Sequence, residues 1–582
     1  MSQLFKKNKI VIGINAYHAD SAACLIVNGK LVAAIEEERI NRIKHWSGFP
    51  FDAIKFCISQ LDQKKNLNID LVFNSSLSSR ISNKFISLIK NPLLILRGVK
   101  SIKKNLSINR NLKKLFDLFP DIKFTVSHSE HHYCHIIYSY YASKFDECSF
   151  LSLDGFGDFK SSRWGYVNNG KFIFKGETRF PHSIGILYQA ITQYLGFLNY
   201  GDEYKVMGMA AYGKNIYSDK IKKLIKYKYP ASYELNLKYF SHHKSEFDYD
   251  WSSSNPNIPI IFNDKIIDLL GTPRLKNIKL TQNHYDIACS LQSVYTEILL
   301  KILIDIKSLT DSNKICISGG CALNSMANGE CSNKNIFESF FIPASPGDSG
   351  GSIGAALSKF EKKSIDSESI HSAYTGMTYS NDLIIKEISS MIDDTEFSIL
   401  HFNKSDDLTD HIANLLTKEK VIGWYQSSSE WGPRALGNRS IIVDPRMKDA
   451  KNLLNSKIKK RESFRPFAPS ILYEHQEDWF ISNVYSPYMS YVIKFKKNKR
   501  ELVPPVCHVD GSGRLQSVTE KNNSRYHELI NKFYKLTGVP ILLNTSFNEN
   551  EPIVNKPSEA IDCFLRTSMD VLVLNNYVII RN

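Results

Sequence analysis

The sequence predicts an α/β protein of two domains, the first of them duplicated inside itself. Three observations predict this. Two segments echo one another: IVIGINAYHADSAACLIVNGKLVAAIEEER, Ile10 to Arg39, and FLSLDGFGDFKSSRWGYVNNGKFIFKGE, Phe150 to Glu177. Two later stretches, KICISGGCALNSMANG and FFIPASPGDSGGSIGAAL, each read as strand, Gly-rich turn, helix. Beyond a polar, Ser-rich stretch at Phe360 to Tyr374, the strand-like runs VIGWYQ, SIIVDP, GVPILLN and MDVLVLNNYVII alternate with helical patterns. The linker falls in that polar stretch, so the expected domains are residues 1–371 and 372–582.

Each element has a local reason. In both echoes a buried strand meets a polar turn, a second strand, an Asn-Gly pair and a third strand. Asn28-Gly29 and Asn169-Gly170 suit a type I′ hairpin, whose two central residues need positive φ. Between the echoes, Arg80 to Lys114 carries about ten Lys and Arg and no Asp or Glu, interleaved with apolar residues. It reads as a cationic helical surface, with an anionic or membrane-borne ligand as the sharper alternative. SIGILYQAITQYLGF is helical, GDEYKVMGMAAYGK follows, and an irregular insertion runs to about Lys279. A long helix then spans Asn283 to Ile306.

Composition bounds the function. A chain of 582 residues, 43% hydrophobic and 23% charged, has ample core. No apolar run approaches the roughly 18–20 residues of a membrane span. The lysines before IVIGIN mimic a signal peptide, but the apolar run is short and a polar turn follows, so a first strand is expected. Ten cysteines without a CxxC pair fit free thiols in a reducing compartment, hence the cytoplasm. Net charge is +15. No nucleic-acid module accompanies it, so nucleic acid is not an expected partner. There is no GxxxxGK[ST] phosphate loop.

Three sets of residues carry chemistry. Gly319 and Gly320 with Asn324, and Gly347 with Gly350 and Gly351, lie in turns that open helices, where backbone N–H groups bind phosphate. His131 and His135 lie four apart, on one face of a helix, which suits two imidazoles on one metal. EWGPRALGNRS (Glu430 to Ser440), KKRESFRPFAPS (Lys459 to Ser470) and NTSFN (Asn544 to Asn548) set guanidinium, ammonium, amide and hydroxyl donors among Gly/Pro turns. That is a pocket for a small phosphorylated substrate.

These last motifs, in this order, resemble the carbamoyltransferase family, which includes the nodulation-factor, cephamycin and tobramycin O-carbamoyltransferases. The two meanders are similar to the actin/sugar-kinase/heat-shock ATPase superfamily, a duplicated ribonuclease H-like fold. The C-terminal part resembles the YrdC-like α/β fold. The resemblance implies carbamoyl phosphate bound by Arg434, Lys459, Arg465, Arg514, Asn544 and Ser546. HVDGSGRLQSV departs mildly from the family's DGTAR at Arg514. It implies a metal held by His131, His135, Asp154 and Asp348, with Fe(II) favoured and Mg, Mn or Zn as alternatives. It implies ATP as co-substrate, His18 as general base and Lys205 beside the pyrophosphate. HADSA, His18 to Ala22, displaces the acid of the family's HDASA by one place. Arg39, Lys44 and His45 match a recurrent segment without an assigned role. The implied reaction removes the phosphate, passes carbamate internally, forms carbamoyl adenylate and carbamoylates a hydroxyl of a sugar or secondary metabolite. A homodimer and peripheral membrane contact are compatible with the chain. Two rivals stand beside this: a threonylcarbamoyl-adenosine tRNA enzyme, and a non-catalytic, nucleotide-switched binding module.

Overall fold

The computed structural model describes residues 8–76, 95–244, 254–393 and 395–582, the side chains of 95–106 excepted. The chain divides into two compact units. The first comprises Met1–Val206, Asn215–Leu323 and Asn335–Ser372; the second comprises Met207–Lys214, Asn324–Lys334 and Ala373–Asn582.

The first unit holds two five-stranded sheets of one topology. In the first, β1 (Ile10–Asn15), β2 (Ala22–Val27) and β3 (Lys30–Glu36) form an antiparallel meander, and β4 (Leu67–Phe73) and β5 (Ile122–His128) add in parallel, in the order β3-β2-β1-β4-β5. The second repeats this with β6 (Cys148–Gly157), β7 (Lys160–Asn168), β8 (Lys171–Arg179), β9 (Lys314–Ser318) and β10 (Ser339–Phe341), in the order β10-β9-β6-β7-β8. The duplication is therefore one of topology. Its two Asn-Gly turns have positive φ at all four residues: 52° and 87° at Asn28 and Gly29, 49° and 71° at Asn169 and Gly170. β1 is wholly buried, which explains its unbroken apolar run.

Four helices matter for the site. They are α1 (Ile95–Leu118), α2 (His131–Ser143), α3 (Gln282–Thr310) and α4 (Gly350–Leu357). Helix α3 corrects one expectation: its 29 residues are long and apolar enough to cross a membrane by length and composition. Its apolar face is instead buried, with Leu291, Leu303 and Ile306 fully covered. Of the basic stretch from Arg80, residues 80–94 and the side chains through 106 lie outside the described residues, as do 245–253 of the insertion.

The second unit is built on a nine-stranded mixed sheet. Its strands are β11 (Phe397–His401), β12 (Ile422–Tyr425), β13 (Arg439–Val443), β14 (Ala468–Leu472), β15 (Tyr491–Lys494), β16 (Ser512–Val518), β17 (Ile541–Ser546), β18 (Val571–Leu574) and β19 (Tyr577–Arg581), ordered β11-β19-β18-β12-β13-β17-β14-β16-β15. MDVLVLNNYVII, expected as one strand, is the hairpin β18–β19, because Asn575 takes φ 51° and turns the chain. Asn324 falls in this second unit, where its side chain caps the helix Ser325–Ser332 by accepting from Ala327 N at 3.1 Å.

Candidate functional site

Four side chains converge in the first unit. Helix α2 presents His131 and His135 one turn apart, β6 supplies Asp154, and the turn before α4 supplies Asp348. The two Nε2 atoms lie 3.0 Å apart. Asp154 Oδ2 is 3.0 Å from His131 Nε2 and 3.5 Å from His135 Nε2; Asp348 Oδ1 is 3.4 and 3.5 Å from the same atoms. All four residues are buried. Gly157 leaves room for this: a Cβ there would lie 1.9 Å from Cδ2 of His131.

The electrostatics are those of a cation site. Burial alone would neutralise every member. Against it, hydrogen bonds and charges of Asp154 and Asp348 hold His131 and His135 above the ordinary histidine value. Burial and the mutual repulsion of Asp154 and Asp348 would raise both carboxyls, yet the histidines hold Asp154 down, and with His18 they hold Asp348 down. Asp348 Oδ1 and His135 Nδ1 are buried atoms without a hydrogen bond. Two imidazoles and two carboxylates aimed at one dry point fit a divalent metal with open positions. The helix is set by Glu130, whose carboxylate caps it through Tyr133 N at 2.7 Å and pairs with Lys160 at 3.1 Å and Arg163 at 2.9 Å.

Around this cluster lie the two Gly-rich turns. Gly319 N donates to Pro346 O at 2.7 Å, so the turns run side by side, and Gly320 N donates to Asp154 Oδ1 at 3.0 Å. Gly347 O accepts from Gly350 N at 3.0 Å, and Gly350 and Gly351 open α4. His18 stands at the rim, a quarter exposed, with Nδ1 2.5 Å from Asp348 Oδ2 and Nε2 3.1 Å from Phe156 O. Lys205 pairs with Asp202 at 2.9 Å and lies over the Phe197 ring.

The second unit holds a separate cationic pocket. Lys459, 1% exposed, donates to Asn548 O and Asn548 Oδ1, both at 2.7 Å, to Ser546 Oγ at 3.3 Å, and to Ser546 O. Burial, then the charges of Arg461 and Arg465, push its pKa well below the ordinary lysine value. Burial, then Arg434, Arg465 and Arg461, likewise disfavour the charge on Arg514, whose Nε donates to Ser325 Oγ at 3.1 Å. Asn544 donates to Gln516 Oε1 at 2.9 Å and Ala435 O at 3.2 Å, leaving its buried Oδ1 without a partner. Cations this concentrated call for an anion.

Arg461 belongs to this group although sequence reasoning passed over it; its position between Lys459 and Arg465 was the available signal. Glu430 and Arg439 hold the loop instead. Glu430 Oε1 accepts from the N–H groups of Leu436, Asn438 and Arg439 at 2.7 to 3.1 Å. Arg439 donates to the carbonyls of Gln426, Ser427, Asn438 and Met377.

Residues 9–357 match the family model described as Carbamoyltransferase N-terminus, and residues 413–581 match Carbamoyltransferase C-terminus. An uncharacterized protein of Synechocystis is 34% identical over 98% of this chain and 96% of its own length. Nodulation protein NolNO of Sinorhizobium fredii is 33% identical over 97% of this chain and 79% of its own. Nodulation protein NolO of Bradyrhizobium diazoefficiens is 34% identical over 77% of this chain and 78% of its own.

Proposed function

The chain belongs to the carbamoyltransferase family, enzymes that move a carbamoyl group to oxygen, and from that premise we propose that it uses carbamoyl phosphate and ATP to carbamoylate a hydroxyl of a sugar or secondary metabolite. The observation that carries this is the second unit's pocket. Lys459 and Arg514 stand among further guanidiniums, Arg461 and Arg465 beside both and Arg434 beside Arg514, whose charges add to burial in disfavouring their own. Lys459, Arg434, Arg465 and Arg514 neutralise the phosphate of carbamoyl phosphate. Asn544 and Ser546 orient it.

In the first unit, the N–H groups of the turns at Gly319–Gly320 and Gly347–Gly351 receive the phosphates of ATP. The activated intermediate is carbamoyl adenylate, formed with release of pyrophosphate. Lys205 offsets charge on that leaving group. His131, His135, Asp154 and Asp348 would hold a divalent metal, Fe(II) by preference, which when bound draws charge from phosphate oxygens. His18, held by Asp348 Oδ2 and Phe156 O, is the general base that helps the acceptor hydroxyl attack the carbamoyl carbon. The reaction belongs in the cytoplasm, where ATP and carbamoyl phosphate are made.

The test is mass spectrometry of purified protein given labelled carbamoyl phosphate and ATP, beside a tube of threonine, bicarbonate and ATP. Carbamoyl adenylate and pyrophosphate in the first tube alone support the proposal. Threonylcarbamoyl adenylate in the second alone replaces it with the tRNA-modifying reading, which the +15 charge would fit.

A further inference from the structure

Helix α1 runs beside the turn that carries His18. Tyr17, the residue before that histidine, meets Ser107 Oγ of the helix through its hydroxyl at 2.6 Å. The same hydroxyl accepts from Asn111 Nδ2 at 2.7 Å. Tyr17 is buried and takes φ 54°, a left-handed conformation that persists only where its neighbours hold it. The general base and the helix are therefore fixed to one another through a single residue.

The helix has two sides. Ile108, Leu112 and Leu115, at i, i+4 and i+7, are buried. Ser107 marks the other side. Counted from it, Lys100, Lys103 and Lys104 fall seven, four and three residues before, and Arg110 and Lys114 fall three and seven after. Those offsets return to one side of a helix, and Asn111, four residues on, shares it. The cationic side is thus the side that meets Tyr17. Arg110 and Lys114 are exposed on it, and Lys113, further round, is exposed as well. Over the whole helix seven Lys and Arg stand against one acid, Asp117.

Two features point from this charge to a lipid surface. From Lys100 to Lys114 the stripe is about 21 Å long, more than one small anion can cover. At its C-terminal end, large apolar side chains stand in water near the cations. The Phe116 ring stacks on Phe124 of β5 at 5.0 Å, and two residues beyond each, Leu118 and Val126 are 50% and 42% exposed. β5 is last in the order of its sheet. A nucleic-acid backbone answers the cations and leaves both apolar side chains in water. An anionic headgroup layer over acyl chains answers both.

Resting on the reading of the acceptor as a sugar, we propose that α1 and the end of β5 dock the first unit on an anionic lipid surface, and that the acceptor is a sugar borne by a lipid of that surface. Lys and Arg of the stripe neutralise headgroups, and Leu118 and Val126 enter the headgroup layer. Tyr17 then holds the turn of His18 against the docked helix, so the acceptor hydroxyl reaches the base without leaving the lipid layer.

The experiment uses the full-length protein and vesicles of phosphatidylcholine with about 30% phosphatidylglycerol, sedimented in about 0.15 M salt. The protein should sediment with these and not with phosphatidylcholine alone. Arg110→Glu, Lys113→Glu and Lys114→Glu combined should weaken binding about 100-fold or more. Leu118→Gln with Val126→Gln should weaken it several-fold. Lys386→Glu, Lys404→Glu and Lys418→Glu combined make the same change of charge at exposed positions of the second unit and should alter it less than about threefold. Each variant should keep the melting temperature of the unaltered protein within a few degrees. Transfer of labelled carbamoyl to dodecyl glucoside in the vesicles should exceed transfer to methyl glucoside in solution about tenfold or more, an advantage that the triple α1 variant loses. No sedimentation with anionic vesicles overturns the docking face, as does equal loss in the second-unit variant. So does bulk tRNA that strips the protein from the vesicles at equal phosphate, which makes α1 a nucleic-acid face. Equal use of the two glucosides overturns the lipid-borne acceptor. Exchange of labelled pyrophosphate into ATP, driven by carbamoyl phosphate, needs neither lipid nor acceptor. Its absence in the unaltered protein sinks the adenylate reading and leaves lipid binding standing.

Discussion

Lys459 is surrounded by the neutral oxygens of Ser546 and Asn548, and these surroundings make a prediction about pH. The folded value lies well below the 10.5 of the unfolded chain. Between the two, the unfolded chain binds more protons, so stability is lost as pH falls through that window. A bound oxyanion removes the cause. Inorganic phosphate should therefore raise the melting temperature at pH 7.5, by about 2.7 kcal/mol in free energy at a hundredfold excess over Kd. Calorimetry checks it, and Lys459→Met should abolish most of the gain. Asp510 shows the opposite sign. Burial would raise its carboxyl, but His508 and Ser512 bring it down to about 2. Its contribution is present above the unfolded value of 3.8 and lost as pH falls through about 2. Asp510→Asn should cost about 1–2 kcal/mol at pH 7 in urea denaturation, discounted for its partial exposure, with the deficit closing between pH 4 and pH 2.

At the scale of elements, α2 is the piece whose placement decides the metal site. Its entry rests on one capping carboxylate, fixed by two cations from β7. Glu130→Ala should cost about 1 kcal/mol of stability and weaken divalent metal binding several-fold, read by isothermal titration. Much of this element was legible: four-residue spacing put both histidines on one face, and Asn-Gly pairs marked both hairpins. The hydrogen bonds of Tyr17 to α1 were not legible. Their partners are 90 and 94 positions away, and only the packing of α1 brings them together. Helix α3 was legible as a long helix, but its surroundings were not, since a helix buried in a core and one buried in lipid share the same composition. The β18–β19 turn was missed because Asn575-Asn576 interrupts an apolar run without glycine.

At the scale of the whole molecule, each unit carries its own anion or cation chemistry. Arg465→Ala should raise the carbamoyl phosphate needed for half-maximal exchange about tenfold or more, the loss of a charged hydrogen bond, while the Kd of a non-hydrolysable ATP analogue stays within twofold. Equal damage to both would argue against two sites. Sequence order located the polar stretch near residue 372 but could not show that earlier segments join the second unit, because such membership is written in long-range packing. The helix Ser325–Ser332 lies against β15, where Asn328 Nδ2 donates to Ser490 O at 3.0 Å, and Tyr212 Oη accepts from Lys451 at 3.1 Å.

That shared membership bears on how the protein is made. On the ribosome, Met207–Lys214 and Asn324–Lys334 emerge well before the strands they pack with. They must wait, with apolar residues such as Met209 and Cys331 uncovered, until translation nears its end. A fragment cut near residue 372 would inherit the same difficulty permanently. Its N-terminal piece would keep orphaned surface, and its C-terminal piece would lack a helix of its own core. The two halves of this gene are thus poor candidates for separate expression, and heat-shock chaperones should be found on the nascent chain between those two moments.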